Sequence, residues 1–413
     1  MAICDYQRDM IEAVGDKCKY GSGMMNAPFK TLANPLMREV GPATPRVPEP
    51  FIDLDLPEYT LIVSADGHWE LDGDVFIDAF PDHLKEEAPR VWFDRYLRVG
   101  YPGKMETYPT TEAVVRGVQL NIGPGANDID VRLAHMAAEG VVKEILFPQS
   151  ILSFVRHPDL EVMETIFRVY NEYIAGVSAR RPGVFFGVGV FFNWWDPARA
   201  EAAMQQIVDL GLKTFVVPIN PGRSVGDGKP VSYSDESMDR FWEVVAEAGL
   251  PLNFHVGEGV DTSHRGGIVT RVMTSLAPFR QPLAQLIFGG VFDRHPELKV
   301  VFSEGGLAWV PPALQDAEMV FDSYGNGNLF ERIALRPSEY WHRNCYATFQ
   351  NDLLGLSQLD YLGADRVMWA SDYPHSEGCF GYSRRSIGSV IEAAGSEAAG
   401  KIVGGTATAL YDL

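Results

Sequence analysis

The feature that most constrains the fold of this chain is a regular alternation, from residue 61 onward, of short apolar runs with longer stretches of helical character. The apolar runs are rich in β-branched and aromatic residues, as is typical of buried parallel strands. Eight such runs lie at residues 61–66, 143–147, 184–191, 213–218, 251–255, 299–303, 345–349 and 366–371. Eight repeated β-α units predict an α/β fold, a closed (β/α)8 TIM barrel, although a doubly wound open sheet shares the local pattern and is the alternative.

Helical segments between the runs carry start signals. Residues 196–210 begin with Asp196 followed by Pro197, an N-cap residue and a residue favoured in the first helical turn. A second helix is predicted at residues 234–248, where apolar side chains recur with helical spacing after a serine. These helices supply the outer layer that a parallel sheet requires.

Segments of different composition flank and interrupt the predicted barrel. Residues 1–50 begin with a short helical pattern and become rich in Gly, Met and Pro, so we expect an N-terminal arm or linker that packs on another subunit or on the outside of the barrel. Residues 51–413 are predicted to form the barrel domain. Residues 71–128, rich in Pro, Asp and Tyr, are an insertion after the first strand and are expected to form a lid over the barrel mouth.

Charge and cysteine usage narrow the class of protein. The 413 residues contain 35 Lys and Arg against 55 Asp and Glu, a net charge of -20 that disfavours binding to nucleic acids and anionic membranes. The four cysteines form no CxxC pair, no apolar run reaches about 20 residues, and we expect no signal peptide, because the first residues lack a basic start and an apolar run. We therefore expect a cytoplasmic protein that acts on a small molecule and forms a homo-oligomer, or a hetero-oligomer with a related chain.

Three of the predicted strands end in residues that can bind a metal ion. Asp66, His68 and Glu70 alternate along the end of the first strand, so they point to the same face. His255 is the last residue of an otherwise apolar strand, and Asp372 follows another. Because the catalytic residues of TIM barrels lie at the carboxyl ends of the strands, this pattern indicates a divalent metal site on that rim.

The spacing of these residues resembles the amidohydrolase-related family that includes aminocarboxymuconate semialdehyde decarboxylase. The first-strand motif of that family is DxHxH, with its two His as ligands, and here Glu70 stands in place of the second His. The fifth-strand His of the family corresponds to His255, and the Asp of its SDYPH segment corresponds to Asp372, with His375 following. The segment HPELKVVFSEGG resembles the sixth-strand HPxLKxxxxHGG, with Glu304 where many members have a catalytic His.

The resemblance implies a metal-dependent enzyme that hydrolyses, or decarboxylates without oxidation, a small carboxylated or aromatic molecule. The implied metal ligands are His68, Glu70, His255, Asp372 and Glu304. Asp372 would also accept a proton, with Glu304 or His375 as the second acid-base group. A carboxylate in place of an imidazole leaves Zn²⁺ open and makes Mn²⁺ or Fe²⁺ more plausible than an all-His site would, with one or two ions bound.

Two arginines and two further functions complete the sequence-based predictions. Arg223 and Arg343 are candidates to bind a substrate carboxylate through paired hydrogen bonds. A dinuclear Fe or Mn oxygenase on the same fold is the alternative function if Glu70 and Glu304 both coordinate metal. The other alternative is a subunit that supports a related active chain, although every position of the implied ligand set holds a competent ligand.

Overall fold

The computed structural model describes residues 32, 34–40, 46–71, 73–93, 97–100, 125–149, 157, 159–191, 196–224, 227–257, 270, 273–274, 276, 278–325 and 333–413. Internal contacts divide the chain into residues 1–33 and residues 34–413, and the structure described below is that of the second unit.

Eight parallel strand positions are present within these described ranges, and they form a barrel. They are β1 (Val63–Trp69), β2 (Lys143–Pro148), β3 (Phe185–Gly187 with Gly189–Val190), β4 (Phe215–Val217), β5 (Leu252–His255), β6 (Val300–Ser303), β7 (Cys345–Phe349) and β8 (Val367–Trp369). Consecutive strands pair in parallel, for example Leu252 with Val300 between β5 and β6. Every residue of β1, β5 and β6 is buried, as expected for strands covered on both faces.

Backbone hydrogen bonds close the sheet at two irregular joints. The first part of β3 pairs with β2 and the second part pairs with β4. Between the two parts, the Val188 amide donates to the Leu146 carbonyl of β2 at 2.9 Å. Between β8 and β1, an isolated parallel bridge joins Gly67 to Tyr373. The second joint places the end of β1 directly beside the segment that follows β8.

Helices surround the barrel. The longer helices are Ile129–Glu139, Leu160–Arg180, Pro197–Asp209, Asp239–Ala248, Arg280–Phe288, Val310–Tyr324, Pro337–Asn344 and Ser383–Ala394. Shorter helical segments are Pro35–Val40, Val75–Ala79, Asp82–Glu87, Glu236–Met238, Val291–Arg294, Leu353–Leu356, Leu359–Leu362, Ser396–Gly400, Lys401–Gly405 and Thr406–Tyr411. None of the described helices is long and apolar enough to cross a membrane.

Aspartate side chains explain where several of these helices begin. Asp128, Asp159 and Asp196 each precede a helix and accept hydrogen bonds from backbone amides of its first turn. The helix predicted at 196–210 runs from Pro197 to Asp209. The helix predicted at 234–248 begins later, at Asp239, because residues 236–238 form a 3₁₀ turn.

The eight predicted strands and the TIM-barrel class are confirmed, with one informative difference at the first strand. β1 continues to Trp69, three residues beyond the predicted end, and its register with β2 shifts between Ser64 and Gly67. This irregularity decides which side chains of the motif face the barrel interior, because a shift of one residue exchanges the two faces of a strand.

The predicted arm and insertion are described only in part. Residues 46–50 lie against the C-terminal segment, where Glu49 forms an ion pair with Arg385 of the helix Ser383–Ala394. Within the insertion, a short antiparallel hairpin joins Arg90–Phe93 to Leu97–Gly100. Residues 1–31 of the arm and residues 101–124 of the insertion lie outside the described ranges, so the arm and the lid stay predictions.

Candidate metal centre

Six buried side chains that can bind a metal meet at the carboxyl ends of four strands. β1 supplies two of them, β5 supplies one at its last residue, the residue after β6 supplies another, and the segment after β8 supplies the last two. In chain order they are Asp66, His68, His255, Glu304, Asp372 and His375. Each is at most 7% exposed, so their charges interact with little screening by solvent.

Short distances join the imidazoles to the carboxylates. His68 Nε2 lies 3.2 Å from Asp372 Oδ1 and 3.6 Å from Asp66 Oδ1. His255 Nε2 lies 3.4 Å from Asp66 Oδ2 and 3.3 Å from Glu304 Oε2. The ligand atoms form two groups, each within 4.8 Å and sharing His68, so the arrangement can hold a metal ion.

The donor atoms of this cluster fit a divalent cation. Both carboxylate oxygens of Asp66 and of Asp372, and the Nε2 atoms of His68 and His255, are buried without a hydrogen-bond partner among the described residues. Buried polar atoms left in this state are costly, and a cation removes the cost. His255 Nδ1 lies 2.8 Å from the Val256 carbonyl, so the neutral ring carries its proton on Nδ1 and presents the Nε2 lone pair to the cluster, as in metal-bound histidines.

The ionisation of the cluster shows how strongly its members interact. Burial lowers the pKa of His255, but the nearby negative charges of Asp66 and Glu304 raise it to about 9. Burial raises the pKa of Glu304, but contacts with His375, His68 and His255 outweigh burial and hold it well below its usual range. His255 and Glu304 therefore favour their charged forms, and a divalent cation would compete with the His255 proton for the same nitrogen.

Two residues of the cluster adopt backbone conformations that are rare for side-chain-bearing residues. Glu304 has φ 65° and Asp372 has φ 54°, both in the left-handed region. The Glu304 amide is held by Thr348 Oγ1 at 2.8 Å, and the Asp372 amide donates to the Asp66 carbonyl at 2.9 Å. Strained residues that the surroundings hold in place are typical of functional sites.

His375, the last residue of the cluster in chain order, has both ring nitrogens in contact with polar atoms. Its Nδ1 lies 3.0 Å from Asp372 Oδ1 and 3.6 Å from Glu304 Oε1. Its Nε2 lies 3.0 Å from Gln149 Oε1, and its ring stacks on that of His68 with centroids 4.0 Å apart. Gln149 was missed by the sequence analysis, because a glutamine after a strand carries no recognisable signal.

The structure separates Glu70 from the cluster. Glu70 follows the last residue of β1, and its backbone is fixed by the Tyr173 hydroxyl, which donates to its carbonyl at 3.2 Å. The side-chain Oε1 of Glu70 accepts a hydrogen bond from the Leu71 amide at 2.9 Å, and Glu70 is not among the described side chains that group as potential metal ligands. The carboxylate that joins His68 is instead Asp66, two residues earlier. The sequence did offer a sign that Asp66 could be a ligand, because Asp66 alternates with His68 along the strand just as Glu70 does.

Neither candidate substrate arginine is brought to the cluster. Arg343 lies at the amino end of β7, opposite the ligand rim, and donates to the Phe292 carbonyl at 2.5 Å. Arg223 follows β4 on the same rim as the ligands, but it is exposed. It lies in a short hairpin that pairs Gly222–Arg223 with Pro230–Val231, and it donates to the Gly228 carbonyl of that hairpin at 2.8 Å. The structure therefore contradicts the prediction for Arg343 and gives Arg223 no contact with the site.

Comparisons with known proteins agree with this fold. The 2-amino-3-carboxymuconate-6-semialdehyde decarboxylase of Dictyostelium discoideum is 24% identical over 253 residues, 60% of this chain and 67% of that protein. An amidohydrolase from Mycobacterium avium subsp. paratuberculosis K-10 superposes with a TM-score of 0.68 at 20% identity, over 86% of this chain and 100% of that one.

A 5-carboxyvanillate decarboxylase from Novosphingobium aromaticivorans DSM 12444, complexed with manganese and 4-hydroxy-3-methoxy-5-nitrobenzoic acid, superposes with a TM-score of 0.64 at 18% identity, over 86% of this chain and 97% of that one. The model of the amidohydrolase family matches residues 149–413, about two thirds of the chain, and includes four of the six cluster residues. The chain therefore belongs to the amidohydrolase family and is an enzyme of that family.

Proposed function

We propose that this enzyme is a divalent-metal-dependent decarboxylase of small aromatic acids. The observation that carries the proposal is the set of buried oxygen and nitrogen atoms of Asp66, His68, His255 and Asp372 that have no hydrogen-bond partner among the described residues. These atoms lie on one rim of a barrel, where TIM-barrel enzymes carry their chemistry.

The proposed ligands are two histidines and two aspartates, with Glu304 close enough to add a third carboxylate. Oxygen-rich sites of this kind suit Mn²⁺ and Fe²⁺ as well as Zn²⁺, and we favour Mn²⁺ because a structurally similar decarboxylase holds manganese. A bound divalent cation would supply positive charge that orients the substrate and stabilises the negative charge developing on it.

Decarboxylation breaks the bond between the ring carbon and the carboxylate carbon, releases CO₂ and leaves the electron pair on the ring carbon. A proton must then be added to that carbon. His375 Nδ1 lies 3.0 Å from Asp372 Oδ1, so this pair can pass a proton between the two atoms and on to the substrate. Gln149 fixes the ring of His375 from its other nitrogen.

Decarboxylation is favoured over hydrolysis by the proteins that this chain resembles. Both the curated relative from Dictyostelium discoideum and the manganese-containing structure are named as decarboxylases, and the second holds an aromatic acid. Family members that hydrolyse amides use the same kind of rim, so the reaction has to be assigned by experiment.

The first experiment measures metal content on protein purified without added metal, followed by CO₂ release from a panel of hydroxylated benzoic acids with and without added Mn²⁺. We expect metal-dependent CO₂ release, and its loss in His255→Ala, which removes one ligand. Hydrolysis of amides or esters in place of CO₂ release would contradict the proposed reaction. Two ions per chain with consumption of O₂ would instead indicate an oxygenase, and a folded chain without metal would indicate a supporting subunit.

A further inference from the structure

We propose that Arg46, which precedes the barrel in sequence, is a positioning residue of the metal centre. The inference rests on the proposed function, because it concerns the loop that directly follows two residues of that site, Asp372 and His375. It extends the site to a part of the chain outside residues 149–413, which the family model matches.

Arg46 is buried, only 6% exposed, and its guanidinium is surrounded by backbone carbonyls. Nη1 donates to the carbonyls of Gly378 at 2.7 Å and Phe380 at 3.3 Å, and Nη2 donates to that of Ser376 at 2.5 Å. One side chain therefore binds three carbonyls within five residues, which we call the 376–380 loop. This planar fork of donors is a property of arginine that lysine lacks.

The 376–380 loop is built directly onto the proposed metal ligand. The Cys379 amide donates to the Ser371 carbonyl at 2.9 Å, and the Gly378 amide donates to the His375 carbonyl at 3.2 Å. A Cβ added at Gly378 would lie 2.7 Å from the Asp372 carbonyl oxygen, so the two backbones are in close contact. A shift of this loop therefore shifts the residues that hold the metal and the proton.

The left-handed backbone of Asp372 makes such support necessary. A residue with φ 54° keeps this conformation only when its surroundings hold it there. Removing Arg46 would take the charged donor from three carbonyls at once, which is costly, and the loop would shift in response, although the Gly378 carbonyl would keep its bond from the Tyr382 hydroxyl at 3.3 Å. Outer partners of this kind typically change metal affinity by about 10- to 100-fold.

Arg385 offers a matched control. It forms ion pairs with Glu49 at 2.5 Å and with Glu39 at 2.6 Å, so it anchors the same N-terminal segment. Within the described part of the chain, its guanidinium donates to these two glutamates and to none of the three carbonyls that Arg46 binds. Loss of Arg385 loosens the segment, whereas loss of Arg46 also removes the donors from the 376–380 loop.

The test is titration of the full-length, metal-stripped chain with Mn²⁺, followed by the electron paramagnetic resonance signal of free Mn²⁺. We expect Arg46→Ala to weaken Mn²⁺ binding by about 10- to 100-fold and Arg46→Lys to recover only part of it. Arg385→Ala should stay within about threefold of wild type. Circular dichroism confirms that each variant is folded.

Mn²⁺ binding by folded Arg46→Ala that equals wild type would overturn the inference, as would an equal loss in Arg385→Ala. If Arg46→Ala does not fold, Arg46→Gln, which keeps one amide donor, is compared with Arg385→Ala by the same criteria. A folded wild-type chain that binds no Mn²⁺ or other divalent metal would overturn the proposed metal centre itself, and the role of Arg46 with it.

Discussion

At the scale of single residues, the metal centre depends on which carboxylate of the first-strand motif reaches His68. Asp66 lies 3.6 Å from the His68 imidazole and 3.4 Å from that of His255, whereas the Glu70 carboxylate accepts a hydrogen bond from the Leu71 amide at 2.9 Å. The two carboxylates are four residues apart and equally buried, at 0% and 1% exposed. Substitutions at the two positions can therefore be compared directly, because a difference in their effects on metal binding cannot come from a difference in burial.

We predict that Asp66→Asn weakens Mn²⁺ binding by more than about tenfold, since it removes a charged ligand, while Glu70→Gln leaves binding within about threefold of wild type. Calorimetric titration of both variants with Mn²⁺ measures the difference. A larger loss in Glu70→Gln than in Asp66→Asn would restore Glu70 as the ligand.

Most of the ligand set could be predicted from residue types at strand ends. His68, His255, Glu304, Asp372 and His375 were all named from the sequence, and the structure brings them together. The choice between Asp66 and Glu70 could not be made, because both alternate with His68 along the strand. The choice depends on where β1 ends, since Asp66 and His68 lie within the strand and Glu70 follows it.

At the scale of elements, tight packing around β1 constrains the two cluster residues that this strand carries, Asp66 and His68. Gly67 lies between the two ligands of β1, and a Cβ there would meet the Glu144 carboxylate at 2.4 Å and the Arg132 guanidinium at 3.0 Å. Those two groups form a buried ion pair at 2.7 Å, so neither can move freely. The strand therefore needs glycine at this position.

Gly67→Ala is predicted to lower the free energy of unfolding by about 1 to 3 kcal/mol, as overpacking does, and to weaken metal binding because both ligands shift. Gly73→Ala is the control, since a Cβ at Gly73 meets nothing within 4 Å. Chemical denaturation with chelator present gives the stabilities. Equal stability of the two variants would show that the ion pair yields to the methyl group.

The elements themselves were largely predictable, since buried parallel strands are apolar throughout and recur at regular intervals. β2 and β7 begin at the predicted residues, Lys143 and Cys345. The register shift in β1 and the 3₁₀ turn at Glu236–Met238 were not predictable, because each depends on contacts with distant segments. The position of Arg343 was available from the sequence, because it precedes the strand predicted at residues 345–349 and so lies at the amino end, opposite the ligand rim.

At the scale of the whole molecule, a buried carboxyl group links stability to pH. Glu139 ends the helix Ile129–Glu139, and its carboxylate accepts hydrogen bonds from the Gly381 amide and the Ser383 hydroxyl. Burial raises its pKa to about 7, and these hydrogen bonds offset only part of the effect. The folded chain therefore holds this proton more tightly than the unfolded chain, in which the pKa is near 4.5.

The contribution of Glu139 is complete below about pH 4.5 and is lost as pH rises through about 7, by at most roughly 3 kcal/mol. Glu139→Gln cannot ionise, so we expect the free energy of unfolding of wild type to fall relative to this variant between pH 5 and 8. Denaturation at several pH values measures the difference. For the control Glu247→Gln, at an exposed position, the free energy of unfolding should change with pH as it does in wild type. The same pH dependence in Glu139→Gln as in wild type would contradict the prediction.

The joint between β8 and β1 has a consequence for local opening of the barrel. Two backbone hydrogen bonds cross this joint near the cluster: the Asp372 amide donates to the Asp66 carbonyl, and the His68 amide donates to the Tyr373 carbonyl. Proposed metal ligands lie on both sides of the joint. A cation bound there would tie the first and last strands of the barrel together. Amide hydrogen exchange at His68 and Asp372 should slow by about 100-fold at a metal concentration 100 times Kd, with a much smaller change at Phe254 inside the β4–β5–β6 ladder. A bound cation would therefore act as an additional link across a joint that two backbone hydrogen bonds already close.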